Sequence, residues 1–292
     1  MKNKKILAVI LASIISIANG SDSEDFDRYD IPYKKEKKLV VDIDFAFGSL
    51  NIRPSTNDKY IMRAGMNFSN QKFKPSIVYK KLASKGKLAL GTVKKNHSLS
   101  LKEFNKIKGN NNTNEWRLEF IKKIPTTYDI EFGAGDGNLN FSGMTIDNMS
   151  LELAMGDVEI LFDEPNQRKM KSMNIETGLG NFEARGLGYA NINDFSLECG
   201  LGSSLLIFDG KFKGILKADI SVGLGSVDIE IPRGVAVEIR SESSFLSSVS
   251  FDDFEKIDSG LYRSSNWDTH PKTKMIIEIS VGMGSANVRW ID

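Results

Sequence analysis

The first candidates for chemistry in this sequence are acidic residues at a fixed offset. Asp44, Glu131, Glu152, Glu176 and Glu198 each stand four residues before the second small residue of a recurring Gly pair. Ser221 and Ser280 hold the same offset further on. Aligned carboxylates suit two tasks. They gather cations or a basic partner, or, with two carboxyls about 5–10 Å apart and one pKa raised, they cleave a glycosidic bond. The plainer reading is a solvated outer face with splayed side chains. Stacked strands would bring neighbouring acids to about 4.8 Å. Like charges at that distance repel, so lysines from another segment, bound cations or a basic partner would have to compensate.

Other chemical constellations are weak. His97 and His270 stand far apart with no cysteine nearby, whereas a structural zinc site needs about four ligands. No serine has a visible nucleophile motif with a histidine partner. Gly133-Ala134-Gly135 superficially suggests a dinucleotide loop, but it recurs, and each copy leads into a strand pattern where that loop needs a helix. Gly135-Asp136-Gly137 hints at a calcium β-roll, yet the column reads Asp136, Asp157, Asn181, Ser203, Ser226, as turn capping would. The lone cysteine, Cys199, cannot form an intrachain disulfide and reads as a small buried residue. No cofactor, metal or catalytic residue is assigned.

The elements that must position the acids follow from the glycines. Gly48, Gly135, Gly156, Gly180, Gly202, Gly225 and Gly284 each follow a small-apolar pair, and Ser, Asp or Asn comes next. From Gly135 to Gly225 the gaps are 21, 24, 22 and 23 residues, a period that signals stacked units. Apolar residues alternate before Gly156 (Leu151, Leu153, Met155) and after it (Val158, Ile160, Phe162). The step of three across the glycine breaks the phase, so the chain must bend there to keep both runs inward. Cys199 falls in the inward column of Leu153 and Val222. A unit of about 22 residues leaves no room for a crossover helix, so the expectation is an all-β chain, a single β-solenoid of Gly-x-Gly repeats. An antiparallel sandwich or barrel has the same strand content.

The remaining chain divides by composition. Lys2, Lys4 and Lys5 precede the apolar run Ile6–Ile17, and Ala18-Asn19-Gly20 offers small residues for cleavage, so residues 1–20 read as a signal peptide. Cleavage would leave a mature balance of −2 and no later stretch apolar enough to span a membrane. Residues 21–37 read as a flexible mature N-terminus and 38–292 as one solenoid domain. Within it, 53–125 form a basic β layer or cap, 126–240 the regular repeats, and 241–292 an irregular segment with closing strands. Strand-like runs in the basic layer are Tyr60–Met66, Ser76–Tyr79, Lys87–Val93, Ser98–Leu101 and Trp116–Ile121. Residues 53–125 carry a balance of +13 and residues 126–231 one of −10. The favoured reading is internal complementarity, the basic layer folding onto the acids. The other is a basic surface for anionic envelope polymers. Nucleic acid is not expected of an exported chain without a base-stacking motif.

Leu118-Glu119-Phe120 through Pro125, Tyr128-Asp129-Ile130-Glu131-Phe132-Gly133-Ala134-Gly135, Leu139–Gly143, Ala184–Asn191 and Gly223–Ser226 through Val237 resemble the toast-rack β-solenoid family. The resemblance covers about residues 38–290. That domain occurs in exported bacterial proteins and in Lia-type regulators of the cell-wall-antibiotic response. It implies an envelope β-solenoid without known catalysis, and it supplies no functional residues. Lia-type regulators carry transmembrane helices before the domain, where this chain shows only a signal peptide. The expected function is therefore an exported, non-enzymatic envelope scaffold or adhesion-like binding module, periplasmic, surface-bound or secreted, whose partner is an envelope protein or an anionic envelope polymer. An envelope-stress sensor is the alternative, and an envelope glycan hydrolase a weaker one. The oligomeric state is not legible.

Overall fold

A computed structural model describes residues 26–68, 74–92, 114–211, 214–243, 247–269 and 272–292. The proposed signal peptide, both histidines and the run Ser98–Leu101 lie outside the described residues. Strands dominate because alternating β-branched, leucine and aromatic residues fit a pleated surface with one dry face. The long strands are β8 (Thr126–Asn140), β9 (Ile146–Leu161), β10 (Met170–Arg185), β11 (Ile192–Ile207), β12 (Gly214–Pro232) and β17 (Thr273–Ile291). Each is one bent element, with a first arm before its glycine and a second arm after it.

The bend has a strict steric cause. All seven corner glycines have positive φ, from 114° at Gly48 to 157° at Gly225. A Cβ on each would overlap the carbonyl oxygen of the matching residue one coil earlier. Conformation and close approach therefore both require glycine here. The strands pair in parallel with the glycines in register: Gly48 with Gly135, then Gly156, Gly180, Gly202, Gly225 and Gly284.

Three further coils use split arms. The coil before β8 is β2 (Lys38–Phe45) with β3 (Gly48–Ser55). Outside it lie β6 (Lys85–Thr92), parallel to β2, and β7 (Asn114–Ile121), parallel to β3. At the far end β13 (Ala236–Ser243) and β14 (Ser247–Phe251) run parallel to the two arms of β17. The C-terminal strand is thus inserted between β12 and β13–β14, out of sequence order. Antiparallel strands close both ends. At one end β5 (Pro75–Leu82) pairs with β6, while β4 (Tyr60–Phe68) pairs with β7 and β1 (Asp27–Pro32) with β4. At the other, β16 (Leu261–Ser264) pairs with β13 and β15 (Phe254–Asp258) with β16.

Two expectations are corrected. Residues 27–32, expected in a flexible lead-in, form β1, because its backbone completes the open edge of β4. The stretch expected to be irregular after Ser241 contains β14, β15 and β16, with β14 held by β17, β16 by β13 and β15 by β16.

The inner faces of both arms share one core. Phe45 on a first arm meets Trp116 on a second arm edge-to-face at 5.2 Å, and Phe120 meets Tyr128 at 5.5 Å. Such edge-to-face pairs add about 0.5–1.5 kcal/mol beyond area burial. The turns between coils stack as well. Phe141 N–H donates to Leu161 O, Phe162 N–H to Arg185 O, and Phe208 N–H to Glu230 O. A four-residue helix, α1 (Leu187–Ala190), fills one such turn.

Candidate functional site

The corner glycines fix where every flanking side chain points. Four residues before them, Asp44 pairs with Glu131, Glu131 with Glu152, Glu152 with Glu176, and Glu176 with Glu198. The column continues through Ser221 and Ser280. All five acids point outward, and adjacent coils separate them by about 4.8 Å. Asp42 and Asp129 form a second outward pair beside the first rung.

Electrostatics follow from that stacking. Burial pushes the Glu131 carboxyl above its ordinary value, and the charges of Asp44, Glu152 and Asp129 push it the same way. Burial raises Asp44 too. Compensation reaches the flank of the first rung, where Lys87 on β6 lies 2.9 Å from Asp42 and the pairing raises the lysine pKa. Among the described residues the basic layer does not fold over the acids, the arrangement that the charge asymmetry had suggested. Among the described residues it stacks against the end of the column, because β6 and β7 continue the coil series. No ion pair to Glu131, Glu152, Glu176 or Glu198 occurs among the described residues.

A shallow trough of about 390 Å³ runs along the glutamates, with Ala154, Gly178, Gly200 and Gly223 also lining it. Glu152 and Glu176 stand side by side on one wall; they do not oppose each other across a cleft. Among the described residues no three His, Cys, Asp or Glu side chains form a metal-holding group. Cys199 is 3% exposed, paired in register with Thr177 and Val222.

The sequence reading missed one feature. Met155, Leu179, Leu201 and Leu224 extend the inward alternation on paper, yet they point outward at the corner. Leu179, Leu201, Leu224 and Met283 are each 46–48% exposed. They are in register, with Met155 half-buried at the head of the row. The register is unchanged across the corner, with Gly178, Gly200 and Gly223 left out of the pairing, and the positive-φ glycine after each ridge residue takes the bend that turns it out. The step of three from Met155 to Val158 was the available signal, since two inward runs out of phase must leave one residue off the line.

The position after each glycine behaves differently from the local capping expected. Asn181 Nδ2 donates to Asp157 Oδ1 at 2.7 Å, and Ser226 Oγ donates to Ser203 Oγ at 3.2 Å. These bonds join successive coils, Asp157 to Asn181 and Ser203 to Ser226.

A family model for the N-terminal domain of toast_rack matches residues 19–185. No curated protein matches the chain. A candidate cell adhesion protein from Clostridium sporogenes ATCC 15579 is 20% identical, covering 91% of this chain and 99% of its own, with a TM-score of 0.46. A candidate adhesin from Bacteroides fragilis NCTC 9343 is 13% identical, covering 91% and 98%, with a TM-score of 0.39. No helix among the described residues is long and apolar enough to cross a membrane.

Proposed function

Because the chain belongs to the toast-rack N-terminal domain family, we propose that it is an exported, non-enzymatic envelope module that holds a partner along the outer surface of its coils. One observation carries this reading: Glu152, Glu176 and Glu198 form a continuous exposed wall without ion-pair partners among the described residues. A stacked β framework keeps such a wall straight, so its charges present a repeating line rather than a convergent pocket. Catalysis on glycans needs an acid and a base placed on either side of the scissile bond, and side-by-side carboxylates on one wall do not provide that. An acidic wall also repels anionic polymers, which leaves a basic protein surface as the suited partner for this face.

The test has two arms. Purified chain incubated with envelope glycans is expected to release no reducing ends above background. Release that Glu152→Gln or Glu176→Gln abolishes would overturn the non-enzymatic reading. Fractionation of expressing cells is expected to place the chain outside the cytoplasm with residues 1–20 removed. Retention in the cytoplasm with those residues intact would overturn export.

A further inference from the structure

Soluble proteins scatter their exposed apolar side chains; here they are aligned. Of the eight exposed large apolar residues among those described, four stand in one in-register row: Leu179, Leu201, Leu224 and Met283. With Met155 the ridge crosses five coils, about 19 Å at the strand spacing. Its first three coils carry Glu152, Glu176 and Glu198 three residues before the ridge residue. We propose that this ridge and its glutamate flank are a docking face for a cationic amphipathic α-helix of a partner protein, lying along the solenoid axis. The proposal rests on the binding-module reading and names the partner's chemistry.

Charge and spacing select that occupant. Acids flank the ridge, so a second copy docking ridge to ridge would bring carboxylate columns together, and an anionic lipid surface would be repelled. A helix repeats its face every 5.4 Å and a strand about every 6.7 Å, against about 4.8 Å per coil. Over four steps a helix drifts by about 2 Å, which long side chains absorb, whereas an extended peptide slips by about 7–8 Å, more than a whole repeat. A strand also gains nothing from backbone pairing here, because the ridge runs across the strands and their ladders are already filled. An apolar helix stripe on the leucines with lysines along the glutamates satisfies both columns.

The test titrates the full chain with a synthetic helical peptide of about 18 residues, with leucines at i, i+3, i+4, i+7 spacing and lysines on one flank. The control has the same composition in strict Leu-Lys alternation. The helical peptide is expected to bind at least about tenfold more tightly than the control, and more weakly as salt rises. Leu179→Ser with Leu201→Ser and Leu224→Ser, and separately Glu152→Gln with Glu176→Gln and Glu198→Gln, are each expected to weaken it about tenfold without changing the melting temperature of these exposed sites by much. Equal binding of both peptides, no binding, or binding indifferent to both variant sets would overturn the proposal. So would binding that appears only after Lys94, Lys95, Lys102, Lys106 and Lys108 are changed to serine, since the chain's own basic segment would then be the occupant. A dimer, or attachment to lipid vesicles, that the serine variants abolish would overturn it in favour of a second copy or a membrane. None of these failures touches the glycan or export results, which test the broader reading.

Discussion

A Cβ built on Gly180 would lie 2.8 Å from the carbonyl carbon of Gly156 and overlap its oxygen. The φ of Gly180 is 138°, a region side chains avoid, so two separate penalties fall on one position. Gly180→Ala is expected to lower unfolding free energy by at least about 2 kcal/mol, from strain and overpacking together. Gly234 has nothing within 4 Å of a built Cβ and no left-handed φ. Gly234→Ala should be neutral or stabilise by about 0.4–1 kcal/mol through the unfolded chain. Urea melts of both variants decide: equal losses would remove the close approach as the reason for the glycine column.

The glutamate column should oppose folding slightly. Burial and neighbouring carboxylates raise the folded pKa of Glu131 above its ordinary value of 4.5. The native state then holds the proton more readily than the unfolded chain, so stability rises as pH falls through the folded pKa and levels off below the unfolded one. Glu131 is exposed, so solvent and salt screen the effect. At neutral pH and low salt, Glu131→Gln is expected to stabilise the protein by about 0.2–0.5 kcal/mol. The gain should shrink at high salt and disappear below pH 4. A variant less stable than wild type at neutral pH would show that something offsets the repulsion.

These two cases mark what the sequence carries plainly. The glycine column is legible because two independent restrictions leave a single residue type, and the acid column because it keeps a constant offset from that glycine. Met155 was misread as inward because alternation continues through it; its register partners Leu179, Leu201 and Leu224 turn out at the same corner, and the positive-φ bend beside them leaves no mark in a polarity pattern. The insertion of β17 between β12 and β13 was not legible either. Every coil presents the same inward columns, so local sequence specifies that a strand stacks but not between which neighbours. β1 was missed because a short strand of mixed polarity at an edge takes its partner from β4, not from its own pattern.

Glu36 and Tyr79 tie the β5–β6 hairpin to the lead-in of β2. Tyr79 Oη donates to Glu36 Oε1 at 2.7 Å, and Lys34 N–H donates to Oε2 at 2.7 Å. Burial pushes the Glu36 carboxyl up, but these bonds and the Lys81 charge together hold it below its ordinary value. A depressed carboxyl gives stability that is present above the unfolded pKa of about 4.5 and lost as pH falls through the folded one. Tyr79→Phe is expected to cost about 1.5–3 kcal/mol at pH 7, the range for a hydrogen bond to a charged group. The difference from wild type should narrow as Glu36 protonates. A constant difference from pH 7 to pH 3 would place the effect in packing alone.

The thiol of Cys199 lies inside the wall that carries Glu198. Its reaction with a disulfide reagent is expected to be limited by unfolding, so urea should accelerate it along the same curve as fluorescence. Cys199→Val should be tolerated within about 1.5 kcal/mol as a near-isosteric change, whereas Cys199→Asp should cost more than about 3 kcal/mol by burying a charge. Rapid labelling of the folded chain would show that the wall opens locally.

Asn166 is the polar counterpart of the glycine column, on the turn side of the stack. Its Oδ1 accepts from Ile146 N–H at 2.8 Å, and its Nδ2 donates to the carbonyls of Ile146 at 3.0 Å, Arg168 at 2.9 Å and Ala190 at 3.2 Å. One amide thus joins the turn of its own coil to the chain on both sides of it. Asn166→Ala leaves a buried N–H and buried carbonyls without that partner, and it is expected to cost about 2–4 kcal/mol. Asn166→Asp keeps the acceptor for Ile146 N–H but turns an oxygen toward carbonyl oxygens. Its charged form is therefore disfavoured in the folded state, and its folded pKa rises above the unfolded value of about 3.9. By the linkage argued for Glu131, this variant should regain stability as pH drops from 7 toward 4, while the alanine variant shows no such recovery. Urea melts at the two pH values separate the cases. Parallel behaviour of the two variants would mean that the donor half of the amide contributes nothing and that the turns are held by the backbone bonds alone.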